Sequence, residues 1–175
     1  VYLDGSKEES YQWLTRWRKE PPRQHIRLQG IKLFADGALG SRGAALIADY
    51  ADKPGHKGLL LTAPKKLARQ VKRVHDAGYQ VAIHAIGDLG NREALNAIEG
   101  LGPKGIPRRH RIEHAQVVAA SDFKRFKALG IIASMQPTHA TSDMRWAHAR
   151  LGDQRIKGAY AWQRFLKLKV PLAFG

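Results

Sequence analysis

Cysteine is absent from the 175 residues, which excludes a disulfide framework and any thiolate metal site. No uninterrupted apolar run approaches the length needed to cross a bilayer, so no membrane partner is expected. No Gly-x-Gly-x-x-Gly follows a strand-like run and no Gly-Lys-Ser/Thr phosphate loop occurs, which weakens nucleotide-binding versions of an α/β fold. Runs of consecutive hairpins are missing as well, and that excludes an all-β protein. Acidic residues are scarce, 15 against 30 lysines and arginines, leaving a formal net charge of +15. Such an excess raises the possibility of nucleic acid, but its distribution argues against that partner. Lys65, Lys66, Arg69, Lys72 and Arg73 fall on one expected helix, Lys124, Arg125 and Lys127 on a second, and Arg164, Lys167 and Lys169 on a third. Apolar residues hold the complementary positions in each, as on a solvated helix face. No basic run interleaved with aromatics and no zinc-finger, RNA-recognition or KH signature occurs. The chain starts at Val1, so these residues do not address a leader peptide.

What is present is a recurring unit. Ile31–Gly37, Val81–Asp88, Arg111–Ala115, Ile131–Pro137 and Val170–Gly175 each begin as a run that favours a strand and end in a turn, most of them through a polar or ionisable group. Helical patterns fill most of the gaps. Residues 7–19 place Tyr11, Leu14 and Trp17 at helical spacing, with Ser6 as the expected N-cap and Pro21-Pro22 as the stop. Residues 63–77 carry Leu67, Val71 and Val74 as a buried stripe, with Thr62 to cap, Pro64 in the first turn and Gly78 to end. Further helices are expected at 91–99, 121–129 and 155–169, while 138–152 reads as irregular. Strand, polar tip and helix in repetition predict a parallel α/β barrel with its active site at one end; an open doubly wound sheet is the alternative. The glycine-rich stretch from Asp36 to Thr62 is long for a connection and predicts a loosely ordered lid over that end, or else a passive loop.

The strand tips carry the chemistry. His84 and His114 stand at equivalent positions on consecutive strands, and with alternating side chains both imidazoles can point inward. Neutral imidazole is a good zinc ligand; the competing reading is two hydrogen-bonded core histidines. Lys32 lies within an otherwise apolar strand. A buried amine is costly unless paired or neutral, and a neutral amine can take up carbon dioxide to form a carbamate able to bridge two cations. The competing reading is a lysine that snorkels to solvent. Gln136 and His139 follow a strand tip, where substrate contacts often arise, and Arg42 in the long loop can hold a substrate anion. For His139 and Arg42 an exposed surface role is the alternative. Asp88 is expected to cap the helix that follows it.

The segments Ile31–Arg42, His84–Asp88, Arg109–Gln116, Ser134–Asp143 and Val170–Gly175 together resemble the metal-dependent amidohydrolase superfamily, in the branch called amidohydrolase family 3, and are similar to N-substituted formamide deformylase-like proteins. The resemblance implies a (β/α)8 barrel joined to a small β-sandwich, and hydrolysis of an amide or other non-peptide C–N bond by metal-activated water. It implies that Lys32, His84 and His114 are metal ligands on the fourth, fifth and sixth barrel strands. The metal would be divalent, zinc first, as one or two ions, with Lys32 carbamylated. No His-x-His of the kind the family places on its first strand occurs here, and the family's proton-shuttling aspartate would come just beyond Gly175. The fold class implied is therefore a partial TIM barrel, roughly strands four to eight, inactive as these 175 residues, with the strand at 31–35 at an open edge. The expected partners are a small amide-type substrate and either the remaining barrel polypeptide or a second copy of the chain. A non-catalytic α/β binding domain and a basic nucleic-acid binder are the competing classes.

Overall fold

The computed structural model describes residues 1–21 and 24–175. Six strands form one sheet: β1 (Tyr2–Asp4), β2 (Gly30–Phe34), β3 (Gln80–Ala85), β4 (Arg111–His114), β5 (Ile132–Met135) and β6 (Leu172–Phe174). All neighbours are parallel, and their spatial order is their chain order. The helices are α1 (Glu8–Trp17), α2 (Pro64–Asp76), α3 (Asp88–Glu99), α4 (Phe123–Ala128), α5 (Thr138–Asp143), α6 (Ala147–Arg155) and α7 (Trp162–Lys167).

One face of the sheet is sealed. Ile31, Leu33, Val81, Ile83, Ile112 and Ala133 alternate along their strands and are almost wholly buried. They share one core with Leu67, Val71 and Val74 of α2, with Ala94, Leu95 and Ile98 of α3, and with Phe123, Phe126 and Phe165 of α4 and α7. The opposite face carries Lys32, Phe34, His84, Arg111 and Glu113 and is only partly covered; Phe34 is 40% exposed. A doubly wound sheet reverses strand order and puts helices on both faces. Strands in chain order with the core on one face are instead the arrangement of a barrel wall.

Several local expectations change. β1 was not foreseen, because three residues carry no periodic signal; it pairs with β2, so the strand at 30–34 is not an edge. The stretch expected to be irregular contains α5 and α6, with a break at Gly152 (φ 71, ψ 173). Only Ala147 and Leu151 of α6 are buried, too few to show as an apolar stripe. The caps expected of Ser6 and Thr62 do not form. Lys7 and Ala63 occupy the N-cap positions without side-chain bonds, and the Ser6 N–H donates to Asp4 at 2.9 Å. Of the expected Pro21-Pro22 stop, Pro22 lies outside the described residues.

His110 fastens the start of β3 to the approach to β4. It is 1% exposed, and its Nδ1 accepts the Val81 N–H at 3.1 Å. Its ring lies edge-on to His75, with centroids 5.6 Å apart. Burial, aided by His75 and Arg108, pulls its pKa down to about 4 from 6.5. The folded state thus holds His110 neutral where the unfolded chain binds a proton. Its contribution is present above pH 6.5 and is lost as pH falls toward 4. His114 and Asp36 also titrate in that window, so urea titrations are compared between wild type and a His110 variant, and the His110 share of proton uptake on unfolding should be about one. His110→Asn, which keeps an acceptor but no titration, should flatten the slope by that amount.

Candidate metal centre

His84 and His114 meet at the C-terminal ends of β3 and β4, and Lys32, from the middle of β2 on the same face, lies close enough for its charge to act on both. In register, Phe34 pairs with His84 and His84 with Glu113, while His114 pairs with Ala85. Paired residues share a face, so strict alternation would send the His114 ring outward, beside buried Ala85. The backbone overrides this. His114 has φ 73 and Ala115 φ 42, both in the left-handed region, which is sparsely populated for residues with a Cβ. That turn swings the His114 ring onto the inner face. It meets His84 edge to face, with centroids 4.6 Å apart and planes at 72°.

Each ring is oriented through one nitrogen. His84 Nε2 donates to the Gly37 carbonyl at 3.3 Å and lies 3.7 Å from Asp36 Oδ1, leaving Nδ1 with the lone pair. His114 Nδ1 donates to Gln136 Oε1 at 2.6 Å, leaving Nε2. A distal anchor of this kind fixes tautomer and ring angle in metal sites. Burial lowers the His84 pKa, and the Lys32 charge adds to it. Burial, then the His84 ring, pulls His114 down to about 4. Both imidazoles are therefore neutral near pH 7, the form that ligates metal. Burial also depresses the Lys32 amine, opposed by Glu113 and reinforced by Arg111; its Nζ lies 5.5 Å from the Phe34 ring centroid. Burial works against ionisation of Glu113, but Arg111 (2.7 Å) and Ser134 outweigh it and hold the carboxyl below its ordinary range. Among the described residues no three His, Asp or Glu side chains are grouped so as to hold a metal. The donors this end of the sheet could offer an ion are the two imidazoles, with the Lys32 amine near enough to act on both through its charge.

Of the residues expected to face substrate, two join the site. Gln136 holds His114, and His139 stacks on the same ring at 5.7 Å and 22°. Arg42 does not. Its Nε and Nη2 are both committed to Asp52, at 3.1 and 3.0 Å, so the anion-holding role expected of it has no free donor fork. Asp88 is the first residue of α3, behind Gly87 as N-cap. Its carboxylate accepts N–H groups from Leu89 and from Ile47 in the long segment.

The residue missed from sequence is Asp36. It is wholly buried, and its carboxylate accepts backbone N–H groups from Ala45, Ile86 and Gly87 at 2.8–2.9 Å. Burial pushes its pKa up to about 6 against those three donors. Glycine makes the approach possible: a Cβ on Gly90 would collide with the Asp36 carboxylate, and one on Gly87 with the Ala45 carbonyl. The long segment is consequently packed, not loose. Leu39, Ala44, Leu46 and Tyr50 form a second small core with Ile86, Val117 and Leu151, and Arg155 of α6 donates to the carbonyls of Ala48 and Asp49. It lies at the strands' C-terminal end, as expected of a cover.

The sequence profile of the amidohydrolase family matches residues 2–175. The chain belongs to the amidohydrolase family. YtcJ of Bacillus subtilis (strain 168) is 37% identical over 151 residues, which are 86% of this chain and 28% of YtcJ. LONG AFTER FAR-RED 3 of Arabidopsis thaliana is 40% identical over 151 residues, 85% of this chain and 26% of that protein. An uncharacterized metal-dependent hydrolase from Pyrococcus horikoshii OT3 matches with a TM-score of 0.83 at 34% identity, across 99% of this chain and 34% of that one. The chain thus spans about a third or less of the length of these relatives, and its six-stranded sheet is part of a barrel.

Asp36 offers a direct test of how the site is supported. Asn presents one acceptor oxygen where the carboxylate presents two, so Asp36→Asn should leave at least one buried N–H unpaired. The expected cost is about 1–3 kcal/mol in urea unfolding. Hydrogen exchange should accelerate either at the Ile86 amide or at those of Ala45 and Gly87, according to which carboxylate oxygen the Asn amide nitrogen replaces, ahead of the amides in β2 and β3.

Proposed function

We propose that this chain supplies part of the metal-binding and substrate-facing end of a hydrolase that cleaves an amide or other non-peptide C–N bond in a small molecule. The observation that carries the reading is the convergence of His84 and His114 with centroids 4.6 Å apart, each ring anchored through its distal nitrogen. Family membership and the metal-dependent hydrolase relative support it.

In this reading His84 Nδ1 and His114 Nε2 hold a divalent ion, zinc first among candidates. Lys32, kept short of protons by burial, would complete the set, as an amine or, after uptake of carbon dioxide, as a carbamate oxygen donor. An ion held there supplies Lewis-acid activation of water and of a substrate carbonyl. Gln136 fixes the His114 tautomer, and His139 flanks the approach to that ring. Asp36 keeps the Gly37 carbonyl in place beneath His84 by locking the start of the long segment. These residues include no assigned proton shuttle, so the 175 residues are expected to bind metal without measurable amide turnover.

Metal analysis after dialysis tests the assignment. Wild type should retain zinc in fixed stoichiometry, and His84→Ala and His114→Ala should each lose it. Gln136→Ala should weaken affinity about 10–100-fold. Arg42→Ala should not alter affinity. Retention of stoichiometric zinc by a variant lacking both histidines would remove the metal centre from this end of the sheet.

A further inference from the structure

The opposite, N-terminal end of the strands carries a different chemistry. A cavity there is lined by Arg18 from the end of α1, Arg27 ahead of β2, Arg108 and Arg109 ahead of β4, and Arg111 at its first residue. Trp17 and Tyr79 add aromatic wall. No carboxylate lines it among the described residues. Arg111 is satisfied by Glu113 and Ser134. The other four guanidinium groups have no ion pair among the described residues.

Two of them are held close together. Gly78 has φ +81; a Cβ on it would collide with Arg18 Nη2 and would lie 3.4 Å from Arg108 Nη2. Arg18 also lies 5.6 Å from the Tyr79 ring centroid. The loop that presents Arg108 and Arg109 is pinned from below, because Gln80 Nε2 donates to both of their carbonyls, and Arg109 itself has φ 52. Like charges side by side over glycine backbone repel, and an anion placed between them relieves that repulsion. The planar guanidinium fork matches phosphate oxygens. Four unpaired forks in one concavity call for more than one phosphate group.

We propose that this cavity binds a compact pyrophosphate group, gripped between Arg18 and Arg108 with Arg27 and Arg109 at its rim. The group is either free or the diphosphate of a nucleotide whose base lies against Trp17 or Tyr79. The inference is independent of the metal centre, which occupies the other strand ends.

Calorimetric titration of the 175-residue chain, with EDTA present and ionic strength fixed, tests it with inorganic pyrophosphate and with ADP. One saturable site is expected. Equal affinity for the two points to phosphate alone, and tighter ADP binding to a nucleotide; both support the site. Arg18→Gln with Arg108→Gln should weaken binding at least about tenfold, while Lys65→Gln with Lys66→Gln, the same charge change on α2, should leave it unaltered. Arg108→Lys, which keeps charge but loses the fork, gives a second reading should the double variant fail to fold, and should also weaken binding. His84→Ala should bind as wild type does. Equal weakening by the α2 pair, loss of binding in His84→Ala, or salt-sensitive binding of duplex DNA with none of pyrophosphate or ADP would overturn the proposal.

Discussion

The functional end of this sheet depends on one buried carboxylate. Asp36 stands where β2 leaves the sheet, and it takes N–H groups from the turn after β3 and from the long segment that β2 itself feeds. A carboxylate so enclosed is costly by itself, and it is tolerated because its lone pairs meet donors that would otherwise be orphaned. Everything above it follows. The Gly37 carbonyl is positioned to receive His84 Nε2, Ala45 is drawn down against Gly87, and the segment between closes over its own small core. This end of the sheet is thus built on a polar knot with a small apolar core beside it, while the larger core lies on the far side of the strands.

The barrel wall was legible because its signal is redundant. Each buried strand repeats apolar residues at period two, and α2 repeats Leu67, Val71 and Val74 at helical spacing, so each element predicts the next. Lys32, His84 and His114 stand out in sequence because ionisable residues interrupt those apolar runs, but alternation alone does not put the two rings on one face: His84 pairs with Glu113, and His114 with Ala85. What escaped notice was short or conformational. β1 is three residues long and exists through pairing with β2. The expected N-caps at Ser6 and Thr62 lost to backbone geometry that places Lys7 and Ala63 there. The length and glycine content of the segment after Asp36 suggested looseness, yet several of those glycines permit close backbone approach and so mark tight packing. Arg42 looked available only because Asp52, ten residues on, was not seen to meet it.

The two ends of the same strands are supported by different physics. At the C-terminal end, partly buried rings are kept neutral and aligned by anchors on neighbouring loops. At the N-terminal end, charged forks are exposed, and a glutamine pins the backbone of the loop that carries two of them. Gln80 and His84 belong to one strand, so β3 is the rigid spacer that keeps a neutral, directional site apart from a charged one.

His114 carries a consequence for what a strand can deliver. A regular strand offers a cavity only every second residue, so adding a group to a rim normally requires two more residues of length. The left-handed step at His114 gives the inner rim two successive side chains, Glu113 and His114, with no added length. The place of the His114 ring at this rim therefore rests on a torsion angle as much as on a choice of side chain, and a substitution that let residue 114 relax to an extended backbone would carry its side chain through the sheet and into the core.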